Sequence, residues 1–231
     1  CVFFKLVHVA HDRALQDLNS KSLIFYHIHN PDTNAQLNFS RFDQNTKWLV
    51  MVREPIQSCE SSIRIPFRES DYFGVVSRIL TMLFELNSAV YRNNSVGLRL
   101  EDLKTKPQKI IPALCAWMSI EEVESLYEMT AQGKKWWGDP SSPDFKKDGN
   151  DPFGKTSIKR KVGLVFSKND HFILRTLFYP FSLRFGYTEE NEEQFKADLQ
   201  KIRPMIDEMF DFEVKIAEKL QMSSDKLIGS G

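Results

Sequence analysis

Arg53-Glu54-Pro55, with Ser61 eight residues after the arginine, is a set of residue types suited to holding an anion. A guanidinium offers a planar fork that matches phosphate oxygens, which an ammonium does not reproduce. Proline suits the first turn of a helix, where N–H groups lack intrahelical acceptors and the dipole end is positive. Ser61 falls about two turns along that helix and adds a hydroxyl donor. The plainer alternative is an arginine paired with a carboxylate at a strand end. His27 and His29 form a second group. Alternation puts both on one face of a strand, and an imidazole titrating near neutrality suits proton transfer. Here the plainer alternative is a pair of hydrogen-bonded strand-end histidines; a metal is not expected, because no third ligand is indicated nearby. Gly149-Asn-Asp-Pro-Phe-Gly154-Lys155-Thr156 matches the phosphate-loop string G-x-x-x-x-G-K-[ST]. That string cradles phosphates only between a buried strand and a helix. The preceding Pro140, Pro143 and Lys146-Lys147 do not make a buried strand, and Pro152 removes a donor, so a loop is expected there instead.

The elements that must position these groups can be read from periodicity. Residues 23–29 and 48–52 are short apolar runs, the second continuous enough for a strand buried on both faces. The first run delivers His27 and His29, and the second delivers Arg53, to a strand's carboxyl end, where open α/β sheets place ligands. Ser70-Asp71 should cap a long helix to about Arg92, residues 96–100 read as a strand, and helices are expected near 107–118 and 120–131. The Gly- and Pro-rich stretch 132–157 is a long loop. Trp136-Trp137 either line an acceptor pocket or anchor that loop, and Phe67–Tyr72 are a further candidate border of such a pocket. Helix is expected again after Ser167 to about Arg184. Thr188 should cap a last helix in which Phe195, Leu199, Ile202, Ile206, Met209, Ile216 and Leu220 form a seam that Glu213 interrupts. Pro204 should kink it. The seam either docks on the parent domain or joins a second copy as a homodimer.

Composition narrows the function classes. The 231 residues carry 31 Lys+Arg against 31 Asp+Glu, which argues against a general nucleic-acid or membrane-surface binder. No apolar run approaches a spanning helix. Three cysteines are too few and scattered for a disulfide framework, and Cys59 and Cys115 read as buried thiols. A cytoplasmic protein is the resulting expectation.

Arg53-Glu-Pro55 with Ser61 resembles the 3′-phosphate-binding element of the sulfotransferases that use 3′-phosphoadenosine-5′-phosphosulfate (PAPS). His27-Ile-His29-Asn-Pro31 is similar to the strand end that carries the family's catalytic base. Leu100-Glu-Asp-Leu-Lys-Thr-Lys-Pro107, followed by Leu114–Ile120, looks like the family's strand–Glu-Asp-Leu–helix segment. Phe166-Ser167, with a helix ending at Phe185-Gly-Tyr187, resembles the domain's end. Lys159-Arg160-Lys161-Val-Gly163 stands where the family's basic segment closes on the 3′-phosphate. The likeness spans about residues 23–187. It departs in two places. The first glycine is Gly74, so the family's Gly-containing phosphosulfate loop is expected upstream of Cys1, and Leu100 replaces an aromatic residue found near the adenine in many relatives.

The resemblance implies an α/β, P-loop NTPase-like three-layer domain with a mainly parallel sheet over 1–187 and a C-terminal helical extension over 188–231. It implies sulfuryl transfer from PAPS to a hydroxyl or amine of a small-molecule or glycan acceptor, leaving 3′,5′-ADP and needing no metal. His29 would be the base and His27 a donor to the transferred group, while Arg53, Ser61, Arg160, Lys161 and Gly163 would hold the 3′-phosphate. Two other classes stay open: an ATP-dependent phosphotransferase using Gly149–Thr156, and a non-catalytic interaction protein on a degenerate sulfotransferase fold.

Overall fold

The computed structural model describes residues 46–84, 94–128, 130–131, 134–135, 153, 162–223, 226–227 and 229. The chain divides into two compact units, residues 1–48 with 87–96 and residues 49–86 with 97–231. The second carries the described site residues, and its helices beyond residue 187 belong to it.

Strand β1 (Trp48–Val52) pairs with β2 (Ser95–Arg99) in a parallel two-stranded sheet. Val52 and Leu98 are buried, but Met51 is 51% exposed, so burial of β1 on both faces is not met at that residue. The described residues are otherwise mostly helical.

Helix α1 (Pro55–Glu69) follows β1 after two residues, and α2 (Tyr72–Phe84) packs against it. Ile56, Cys59, Ile63 and Pro66 recur at helical spacing on the buried face of α1. Pro66 cannot donate to the carbonyl of Ser62, and the Arg78 guanidinium of α2 donates there instead. Ser70 ends α1 in the left-handed conformation, φ 59°, and Asp71 caps α2 by accepting the Gly74 N–H at 2.9 Å. The expected cap pair is thus split between two helices.

After β2 come α3 (Leu100–Thr105) and α4 (Pro107–Met118). The helix expected over 120–131 is absent among the described residues. Ser119 takes a left-handed conformation, and the Ile120 N–H bonds the Cys115 carbonyl, which closes α4. A 3₁₀ turn at Glu124–Tyr127 follows, and β3 (Thr130–Ala131) pairs antiparallel with β4 (Lys134–Lys135).

Helix α5 (Lys168–Leu177) begins with a capping box in which Ser167 and Asp170 bond each other's backbone N–H. It continues through Phe178 into α6 (Tyr179–Arg184). Helix α7 (Glu192–Ile206) is capped by Asn191, whose Oδ1 accepts the Gln194 N–H at 2.9 Å. The cap expected at Thr188 therefore sits three residues downstream. Asn191 is also fixed by the Tyr179 hydroxyl, which accepts its N–H at 2.8 Å.

Pro204 lies inside α7, which ends two residues later, and α8 (Asp211–Leu220) starts afresh. The expected continuous seam is thus two shorter helices. Ile202, Phe212, Ile216 and Ala217 are buried, while Leu199, Ile206 and Leu220 stay partly exposed. Phe212, Ile216 and Ala217 join Ile56, Cys59, Ile63, Val75, Val165, Phe166 and Phe178 in one core. The C-terminal helices therefore dock on the parent unit. Burying each of these large side chains is worth about 1.5–3 kcal/mol.

Candidate functional site

Arg53 stands at the carboxyl end of β1, immediately before the residue that caps α1, and Ser61 lies two turns into that helix. Both are half-buried, and both are engaged by neighbouring groups. The strand–arginine–proline–helix unit is therefore as expected. The N-terminus of α1 is not. Its Ile56 and Gln57 N–H groups donate to the Glu54 carboxylate at 3.2 and 2.7 Å. Pro55 has no N–H, so the donors expected to face an anion already hold one from the chain itself. An external phosphate here would rest on the Arg53 guanidinium and Ser61 hydroxyl, not on the helix terminus.

Three segments far apart in sequence meet at the carboxyl ends of the two strands. Glu101 Oε1 accepts the Glu54 N–H at 3.1 Å, and Oε2 accepts the Tyr187 hydroxyl at 2.8 Å. Arg99 Nε lies 3.2 Å from Asp102, and Nη1 donates to the Gly186 carbonyl at 2.8 Å. Its guanidinium also covers the Tyr187 ring at 4.4 Å. Burial, followed by the Glu101 carboxylate, raises the Tyr187 phenol well above its ordinary value, so it stays a donor at neutral pH. Gly186 turns the chain at φ +67° to make this contact. Gly97 of β2 packs so closely under Phe185 that an added Cβ would fall 2.0 Å from its ring. Arg53-Glu-Pro55, Leu100-Glu-Asp-Leu and Phe185-Gly-Tyr187 are thus one hydrogen-bonded cluster.

Gly163 is joined to α1 by a different carboxylate. Glu60 is 3% exposed and occupies the apolar face of α1 between Cys59 and Ile63. Its Oε1 accepts the N–H groups of Gly163, Leu164 and Val165 at 3.1, 2.5 and 2.7 Å, and Oε2 accepts that of Gly163 at 2.8 Å. The Gly163 N–H is therefore held by Glu60, one residue before Ser61. On its other side the turn is held by Lys215, whose Nζ donates to the Val165 carbonyl at 3.2 Å.

Glu54, Glu60, Arg99, Glu101 and the Tyr187 hydroxyl were not singled out by spacing. Glu60 did carry a signal, a charge inside an apolar helical stripe. His27, His29, Arg160, Lys161, the Trp136-Trp137 pair and most of Gly149–Thr156 lie outside the described residues. Phe67 and Tyr72, candidate borders of an acceptor pocket, are partly buried against the core, where the Tyr72 hydroxyl donates to Glu213 at 2.9 Å. Burial, aided by that carboxylate, pushes the Tyr72 phenol up to about 12. Cys59 and Cys115 are buried free thiols, and burial pushes Cys59 up to about 12, which leaves it unreactive. Among the described residues no helix is long and apolar enough to cross a membrane, and no group of three His, Cys, Asp or Glu side chains is arranged to hold a metal. No family model matches the chain, and no curated protein or solved structure is significantly similar to it.

Proposed function

We propose that this chain is a PAPS-dependent sulfotransferase built on a P-loop NTPase-like α/β domain, acting on a hydroxyl or amine of a small-molecule or glycan acceptor. The observation that carries the reading is the convergence of three motif segments at the carboxyl ends of two parallel strands, tied together by Glu101. Those segments were matched to the family separately along the chain, and their meeting is what a shared nucleotide site requires. Docking of Gly163 on Glu60, in the helix that carries Ser61, supports it further.

Each residue then has a task. Arg53 presents a guanidinium fork and Ser61 a hydroxyl to the 3′-phosphate, in a half-buried position where charge-assisted hydrogen bonds are stronger than in water. Glu101 holds the Glu54 backbone and so fixes the turn that aims Arg53. By the resemblance, Arg160 and Lys161 add positive charge to the same phosphate. His27 donates to the transferred group, and His29 takes the acceptor's proton as the acceptor attacks sulfur.

Titration of 3′,5′-ADP into the 231-residue chain, followed by calorimetry, tests the reading. The expected result is saturable binding that weakens at least tenfold in Arg53→Ala and less in Ser61→Ala, about 1.4 kcal/mol or more for the arginine. 5′-AMP, which lacks the 3′-phosphate, should bind far more weakly. No binding, or binding unchanged in Arg53→Ala, overturns the assignment. Mg²⁺-dependent ATP binding lost in Lys155→Ala would favour a phosphotransferase instead.

A further inference from the structure

We propose that Glu60 is a positioning residue of this site, acting as a resident anion in a backbone nest formed by Gly163, Leu164 and Val165. Three successive N–H groups converge on one carboxylate, an arrangement that backbone concavities ordinarily offer to external anions. The oxygens are buried, and among the described residues no cation pairs with Glu60. A buried carboxylate persists only where hydrogen bonds replace its hydration, and the nest supplies them. Gly163 makes the nest possible. Its φ of +98° is a conformation other residues rarely adopt, although a Cβ there would meet nothing within 4 Å.

The consequence concerns the anion expected at Gly163. Its N–H serves the chain's own carboxylate, so Gly163 fixes the turn against the helix that carries Ser61 and does not itself hold the 3′-phosphate. Glu60 determines where the turn sits, and Ser61, the next residue, shares its rigidity. For the nucleotide this rests on the sulfotransferase reading; the nest stands without it.

Amide hydrogen exchange at residues 163–165 tests the nest, and 3′,5′-ADP titration tests positioning. In Glu60→Gln the carbonyl oxygen can still serve Leu164 and Val165, but the amide in place of Oε2 opposes the Gly163 N–H, so exchange at Gly163 should accelerate at least tenfold while Ile173 and Leu174 in α5 stay protected. ADP affinity should fall about fivefold or more. In Glu60→Ala, formate should slow the exchange again and restore ADP affinity, which a packing role for the side chain would not allow. Gly163→Ala, which strains the turn without touching the carboxylate, should reproduce the Glu60→Gln exchange pattern. Should Glu60→Ala not fold, Glu60→Gln and Gly163→Ala decide the matter. Unchanged exchange in both overturns the nest, as does formate without effect on a folded Glu60→Ala. A loosened turn with ADP affinity unchanged overturns the positioning role. Absence of ADP binding in the unmutated chain counts against the sulfotransferase reading alone, leaving the nest to be judged by exchange and formate.

Discussion

Glu60 and Glu101 each accept a backbone N–H from a distant segment, yet their surroundings differ. Glu60 is buried, and its partners are three N–H groups of a single turn. Glu101 is half-buried and divides its oxygens between the Glu54 N–H and the Tyr187 phenol. In a dry position every lone pair must be met by protein, so removing the carboxylate takes the acceptor from several donors at once. In a half-wet position water replaces what is lost. The first arrangement anchors; the second braces a strand end.

Removal of the anchor should have the largest effect. Glu60→Ala should cost about 3 kcal/mol of unfolding free energy in urea, because it removes a buried carboxylate's hydrogen bonds to three N–H groups and leaves the buried one, that of Val165, without an acceptor. A cost below about 1 kcal/mol would erase the distinction between the two carboxylates.

Asp170 extends the dry class and adds a pH signature. It is fully buried and accepts the Ser167 N–H at 2.9 Å and the Asp211 N–H at 2.8 Å, so it caps α5 and receives the start of α8. Asp170→Asn should cost about 2 kcal/mol at neutral pH. Burial is the largest influence on Asp170 and raises its pKa, outweighing the backbone hydrogen bonds that lower it. Folding therefore favours the neutral acid. That contribution is complete below the ordinary carboxylate value and is lost as pH rises through the raised one. The stability gap between the unmutated chain and Asp170→Asn should thus widen as pH falls from about 7 to about 4. A gap that narrows contradicts the assignment.

The smallest effect belongs to the brace. Tyr187→Phe removes one hydrogen bond from a half-buried pair and should cost about 0.5–1 kcal/mol, with the Arg99 guanidinium still stacked on the ring. A loss as large as that of Glu60→Ala would mean that both clusters are anchors.

The sequence made local structure legible and long-range pairing much less so. The helix starts at Pro55 and Pro107 and the Ser167 cap were readable because each depends on residues within one turn. Thr188 and Asn191 are both competent caps three residues apart, and the choice fell to Asn191 through its tertiary contact with Tyr179. In place of the helix expected over 120–131 stands a 3₁₀ turn with Val123 and Glu128 extended on either side, backbone conformations that these residue types do not announce. At the candidate site, Arg53, Ser61 and Gly163 were legible as residue types. Their support was not, because Glu60 is separated from Gly163, and Glu101 from Tyr187, by more than eighty residues. A charge on an apolar helical face marks a satisfied buried group without naming its partner.

Hydrogen exchange of the 231-residue chain with and without 3′,5′-ADP addresses the central claim most directly. The expected result is slowed exchange at residues 53–61 and 160–165, with α7 unchanged and the slowing abolished by Arg53→Ala. Protection that leaves residues 53–61 unaffected, or that persists in Arg53→Ala, would contradict it.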